Sequence, residues 1–436
     1  MAISGASPVN LSAPDLSAPD LPALYRRAAG LSARAFMGAV ALACQLHAAP
    51  IAPAPANGGP SDAELNADFQ AEKRLLGVYE LIGSGRYREA LKKSEQLVKD
   101  VPHFQLAQLV YGDLLASRIH VVKTLGDVTP EAAAAAGLTL GELRQESQRR
   151  LEALRERPPA NAIPSQFLKI AMRSKHVIAV DASRSRLYLF ENTRSGPRLL
   201  RDYYVSVGKA GVSKSIEGDQ RTPLGVYYLT GLLSRKTVGD FYGSGALPMN
   251  YPNMLDMRRS KSGRGIWLHG TPSGQFARAP QATDGCLVIS NPDLHHVSST
   301  VEVQTTPIVV ATKLTWVSPA SLEPVADSFE ATLNEWRNAK TRGAWTQVQG
   351  FYTSDFNSYG RNLSQWLPEL KAEMGRAGSR QTQIKDLTLL SWTDTEEVMV
   401  VTFSELGRGA ASGPLKRQYW VKIDKKWKIF FEGVIG

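Results

Sequence analysis

Cysteine is nearly absent from this 436-residue chain: Cys44 and Cys286 are the only two. The first sits in a segment that reads as an export signal, so the mature protein keeps Cys286 alone and cannot form an internal disulfide. Metal-ligand spacing is missing as well. His295-His296 has no Cys, Asp, Glu or His partners at suitable offsets, so both are taken as surface residues and no metal or cofactor is expected. The formal net charge is +10, yet no Lys/Arg run is interleaved with aromatics, which argues against nucleic acid as a partner. The apolar run from Ala35 to Leu46, AFMGAVALACQL, is too short to span a bilayer. Disorder is not the default either, since 43% of residues are hydrophobic and 21% charged. What remains is a folded chain long enough for roughly two to four domains.

Residues 1–49 carry Arg26, Arg27 and Arg34 ahead of that apolar run, with small residues at Ala48-Ala49 for cleavage and a Pro/Ala-rich linker, 50–60, behind it. This predicts export to the periplasm or cell envelope, with an uncleaved anchor as the alternative. Ala41-Leu42-Ala43-Cys44 faintly resembles a lipoprotein box but lacks leucine three positions before the cysteine.

Residues 61–160 show apolar positions three and four apart. Leu76, Val78-Tyr79 and Ile82 precede the turn Gly83-Ser84-Gly85; Tyr87, Ala90, Leu91 and Leu97-Val98 form the next face. Pro102 is expected to start a third helix, and Leu143 to Arg157 a fourth that Pro158-Pro159 ends. The spacing resembles a tetratricopeptide helical hairpin, of which about one and a half repeats are visible. A partner-binding groove and a plain helical module packed on its neighbour both fit.

From Lys175 the pattern becomes alternation. His176–Asp181 and Arg186–Phe190 read as a hairpin, Asp202–Gly208 as a third strand, and Val226–Leu229 as a fourth behind a Pro/Gly turn. Through Trp316 the chain reads as strands and long loops. Within it, Ile266-Trp267-Leu268 delivers His269-Gly270, a loop follows, and Thr283-Asp284-Gly285-Cys286 opens onto Leu287-Val288-Ile289. A lone thiol in an oxidising compartment is a liability unless buried or used. The polar turn in front of Cys286 sets the sulfur at a strand mouth, which favours use over the alternative of a core cysteine.

In order, V-x-x-x-D, G-D-x-R-T-P-x-G-x-Y, I-W-L-H-G and T-D-G-C-L-V resemble the L,D-transpeptidase catalytic domain of the YkuD type, over residues 165–316. Members of that family remodel the peptide stems of bacterial peptidoglycan through an acyl-enzyme on cysteine. Two positions depart from the usual pattern: Asp284 stands where most members have histidine, and Val288 where asparagine or arginine is frequent. Such variants occur in a branch that includes hydrolases.

The chemistry of the residues agrees. A free thiol, with a pKa of about 8.5, is only slightly ionised at neutral pH and needs a base. His269, 17 residues before Cys286, is the candidate. By the resemblance, the backbone carbonyl of Gly270 orients its ring. The N–H groups of Gly285 and Cys286 are the expected oxyanion donors. From Lys175 to Lys313 there are 17 basic and 10 acidic residues, which suits an anionic ligand. Arg278 is the candidate clamp for a stem carboxylate, with Thr283 and Asp284 beside it in the substrate-binding set. Arg221 is read as a brace for the Thr222-Pro223 turn, and Tyr242 to Tyr251 as part of a lid.

The C-terminal part, 321–436, begins with an amphipathic helix, Val325 to Lys340, carrying Phe329, Leu333 and Trp336 on one face. Trp345 to Phe356 is expected to continue the helical part, followed by strands Ile384–Leu390, Glu397–Phe403, Lys416–Ile423 and Trp427–Phe431. This order resembles the nuclear-transport-factor-two-like (SnoaL-like) cone, a fold that assigns no reaction. The expected fold is therefore multidomain: an α-helical tetratricopeptide-like region, a mostly-β L,D-transpeptidase-like domain and an α+β cone. The combination looks like the cell-shape L,D-carboxypeptidases, and it implies an enzyme acting on stem tetrapeptides through a thioester on Cys286. Transpeptidation, release of a wall-linked lipoprotein, and a non-enzymatic wall-binding scaffold stay open, with protein partners on the helical and C-terminal domains.

Overall fold

The structure is a computed structural model, and it describes residues 70–377, 383–407 and 411–435. The export signal and the 50–60 linker lie outside the described residues.

Helices Ala71–Gly83 and Tyr87–Asp100 form a hairpin that buries Leu75, Val78 and Leu81 against Ala90 and Leu97. Gly85 makes the turn, at a φ of 75° that a residue with a Cβ adopts only with strain. The third helix starts at Gln105 rather than Pro102, because Pro102 to Phe104 are spent on the connecting turn. The fourth runs Pro130–Arg155, well ahead of the expected Leu143 start. Proline is tolerated at a first helical position, and the alanines after it favour helix, so the pattern need not wait for large apolar residues.

The central unit has two main sheets. One has five strands in the order Gly196–Tyr204, Arg186–Thr193, His176–Asp181, Pro307–Ala311, Gly225–Tyr228, with His176–Asp181 and Pro307–Ala311 parallel. Pleating sends Val177, Ala179, Tyr188 and Phe190 to one face and Ile178, Val180, Leu187 and Leu189 to the other. The second set packs on a four-stranded sheet ordered Leu287–Val288, Trp267–His269, Gly245–Pro248, Leu233–Ser234. The first set packs on the C-terminal sheet through Leu390, Val398, Val400, Tyr419 and Val421. One sheet thus supports both the site and the accessory domain. A helix, Asn291–Thr300, was not expected in this β-rich stretch; Ser290 caps it, its hydroxyl accepting from the Asp293 N–H. Its His296 is not a plain surface residue, since Nδ1 lies 2.6 Å from the Tyr203 hydroxyl.

The C-terminal unit places helix Glu323–Thr341 in the curve of an antiparallel sheet, Gln383–Thr393, Glu397–Leu406, Leu415–Ile423 and Lys426–Val434. Phe329, Leu333 and Trp336 are buried against Phe403 and Trp420. The expected helix to Phe356 stops at Gln349, and a further helix, Leu363–Ala377, follows despite Pro368. Phe167–Lys169, from the link before the central domain, supplies this sheet's edge strand by pairing with Gln383–Thr393. Arg258 and Arg259 of the central domain add ion pairs to Asp355, Asp394 and Glu396.

Candidate active site

His269 ends one strand of the four-stranded sheet, and Cys286 immediately precedes its parallel neighbour. The register pairs Leu268 with Leu287 and His269 with Val288. Both leucines are fully buried in the core, so the alternate residues, His269 and, one step back along the register, Cys286, share the opposite face. The Sγ donates to the Gly265 carbonyl at 3.4 Å. Tyr242 and Phe241 cover the imidazole, with ring centroids 4.9 and 6.2 Å from it.

His269 is 1% exposed, and its Nδ1 lies 2.7 Å from the Gly270 carbonyl oxygen. A carbonyl only accepts, so Nδ1 carries the hydrogen and Nε2 keeps its lone pair. Burial lowers the imidazole pKa to about 4; the Gly270 contact opposes that shift and the Arg278 charge adds to it. The ring is neutral near pH 7 and can accept a proton. Burial pushes the Cys286 thiol up, while the Trp267 N–H and Arg278 pull it down. Both shifts favour the thiol and the neutral imidazole near pH 7.

Gly270 has no room for a side chain: a Cβ there would meet Asn291 Oδ1 at 2.1 Å. Asn291 holds two loops together, accepting from the Ser244 N–H at 2.8 Å and donating to the Thr271 carbonyl at 2.8 Å. No local pattern points to this role, because its partners lie 47 and 20 residues away in sequence. Thr222 is the second hidden brace. Fully buried, its hydroxyl accepts from the Gly208 N–H and donates to the Gly285 carbonyl, each at 2.9 Å, so the T-P-x-G turn holds the thiol loop. Arg221 donates to the Val212 carbonyl at 3.0 Å.

Thr283 and Asp284 both have partners within the protein. Thr283 is 2% exposed; its hydroxyl donates to the Cys286 carbonyl at 2.7 Å and accepts from the Gly285 N–H at 3.1 Å. It closes the turn. The second of these bonds engages the Gly285 N–H within the turn, and the Cys286 N–H is not among the turn's hydrogen bonds. Asp284 is exposed and pairs with Lys209 at 3.0 Å. Arg278 lies over the Phe241 ring at 4.9 Å, within electrostatic reach of His269 and Cys286.

Residues 175–310 match the L,D-transpeptidase catalytic domain of the YkuD family. The central unit is an L,D-transpeptidase catalytic domain. Residues 328–433 match the Cds6 C-terminal NTF2-like domain. Bd1075 from Bdellovibrio bacteriovorus superposes with a TM-score of 0.54 at 24% identity, over 63% of this chain and 98% of that one. The helical cell shape determining protein Pgp2 from Campylobacter jejuni gives 0.49 at 21% identity, over 62% and 95%. No curated protein sequence matches the chain. Within the L,D-transpeptidase domain, the matched segment takes in both the Cys286 turn and the Thr222 brace.

Proposed function

We propose that the protein is an exported peptidoglycan-modifying enzyme that cleaves the bond after the L-centre of stem tetrapeptides through a thioester on Cys286. The observation that carries this reading is the neutral His269, oriented by Gly270, on the same sheet face as the lone thiol of an L,D-transpeptidase domain. Sγ attacks the scissile carbonyl as its proton passes to Nε2 of His269, and the Cys286 N–H faces the developing oxyanion. The tetrahedral adduct collapses to the thioester, and the leaving D-residue amine takes the proton from His269. Water, or an amine of another stem, then attacks the thioester with His269 again as base, freeing the thiol. Arg278 supplies positive charge for a stem carboxylate. The mild basic excess of the domain favours the same anionic ligand.

Water is the proposed acceptor, as in the cell-shape L,D-carboxypeptidases that the domain combination resembles. Incubation with purified tetrapeptide muropeptide, with and without an amine acceptor, followed by mass analysis, tests this. Tripeptide formed by wild type and not by Cys286→Ala is the expected result. New cross-links would replace hydrolysis with transpeptidation, and no wild-type turnover would overturn both.

A further inference from the structure

The loop between His269 and Cys286 is not held by the catalytic domain alone. Phe276, 3% exposed, and Ala277 belong to the buried cluster of the helical module, beside Phe104 and Leu106. The Phe104 and Phe276 rings lie 4.1 Å apart, and the Phe276 N–H donates to the His103 carbonyl at 3.1 Å. Phe276 shares that cluster with Phe104, so part of its burial comes from the helical module.

A second support lies two residues on. The Tyr204 hydroxyl donates to the Arg278 carbonyl at 2.8 Å, and the Arg150 guanidinium of the helical module sits 4.0 Å from the centre of the Tyr204 ring. Arg150 is 2% exposed and fixed by Glu72 at 2.6 Å and Glu146 at 2.8 Å. Glu72 in turn reaches Arg186 of the catalytic sheet at 2.7 Å. Buried, multiply paired arginines of this kind hold one geometry.

We propose that the helical module is a positioning element of the active site: Phe104 on Phe276 and Arg150 on Tyr204 fix the loop that carries Arg278 beside Cys286 and His269. Phe104, Arg150 and Tyr204 are positioning residues and touch none of the reacting atoms. The proposal rests on the reading of Cys286 as nucleophile, but its test does not require turnover. Arg278, Asp284 and Lys214 are charged groups acting on the thiol; Arg278 lies in the clamped part of the loop beside Phe276, whereas Asp284 lies beyond the strand Gln281–Thr283 and Lys214 on another loop.

The test is the rate of Cys286 alkylation by iodoacetamide against pH on the full chain, read on the Cys286 peptide by mass spectrometry. Arg278→Gln should move the profile to higher pH. Phe104→Ala and Tyr204→Phe should move it the same way, by about half a pH unit or more, or roughly threefold slower labelling below the midpoint. Combined with Arg278→Gln, neither should add a further shift, because both act through Arg278. Tyr204→Phe keeps the ring and carries the test if far-UV circular dichroism shows Phe104→Ala to lose helix. Profiles of both variants that stay on wild type while Arg278→Gln moves would overturn the proposal, as would shifts that add to that of Arg278→Gln. A chain that fails to turn over muropeptide but shows the shared shift would keep this inference and lose the reaction assigned above.

Discussion

Thr222→Val isolates the brace under the Cys286 turn. Valine fills the threonine shape but can neither accept from the Gly208 N–H nor donate to the Gly285 carbonyl, both 2.9 Å away. The site is fully buried, so water cannot take over either bond. A buried polar group left unpaired costs about 1–3 kcal/mol, so the two together predict a loss of roughly 2–6 kcal/mol. Urea denaturation measures it. The Gly285 carbonyl lies one peptide from Cys286, so turnover should fall with stability. Thr222→Ser keeps the hydroxyl and loses one methyl, which limits its cost to about 1 kcal/mol. A valine variant within about 0.5 kcal/mol of wild type, with full turnover, would refute the reasoning that this hydroxyl holds the thiol loop.

Gly285 has a φ of 123°, and a Cβ there would meet the Arg221 carbonyl oxygen at 2.7 Å; Gly285→Ala should therefore cost more than 1 kcal/mol and slow Cys286 alkylation. The acid limb of kcat/KM should lie near pH 4, where His269 gains a proton and ceases to be a base; a limb near 6.5 would mean that burial does not govern the ring. Burial alone would raise the Glu72 carboxyl, but Arg186 and Arg150 overcome it and hold the pKa at about 2. Its contribution to stability is thus present above the ordinary carboxylate pKa of about 4.3 and is lost as pH falls through about 2. Glu72→Gln should remove it at neutral pH, at about 3 kcal/mol because two buried arginines lose a partner; a thermal midpoint unchanged at pH 7 would count against the network.

Much of the site could be read from the chain because its signals are local. The apolar runs before His269 and after Cys286 are strands, and the turn residues before the thiol place it at a strand mouth. The harder positions are those where a local pattern has two uses. Thr283-Asp284-Gly285 has the composition of a ligand loop, but its threonine hydroxyl and glycine N–H bond each other, since such side chains compete for nearby backbone groups. Asn291 and Thr222 act on residues distant in sequence, which no window reveals. The helices at Pro130 and Leu363 escaped because an alanine run and an internal proline mask the apolar period. Strand ends were short for a similar reason: Gly196 to Arg201 extends an edge strand with residues that stay partly exposed.

Phe167–Lys169 leaves the helical module's side of the chain, pairs with the edge of the C-terminal sheet, and only then does the chain enter the catalytic sheet. The accessory domain's own sheet is therefore incomplete until a segment made long before it arrives. Such pairings raise contact order, and loop closure must precede their reward, so folding of this part is expected to be slow. Cutting the gene between the two matched domains would not separate two independent pieces: it would strip one sheet of its edge strand and expose the face of the other.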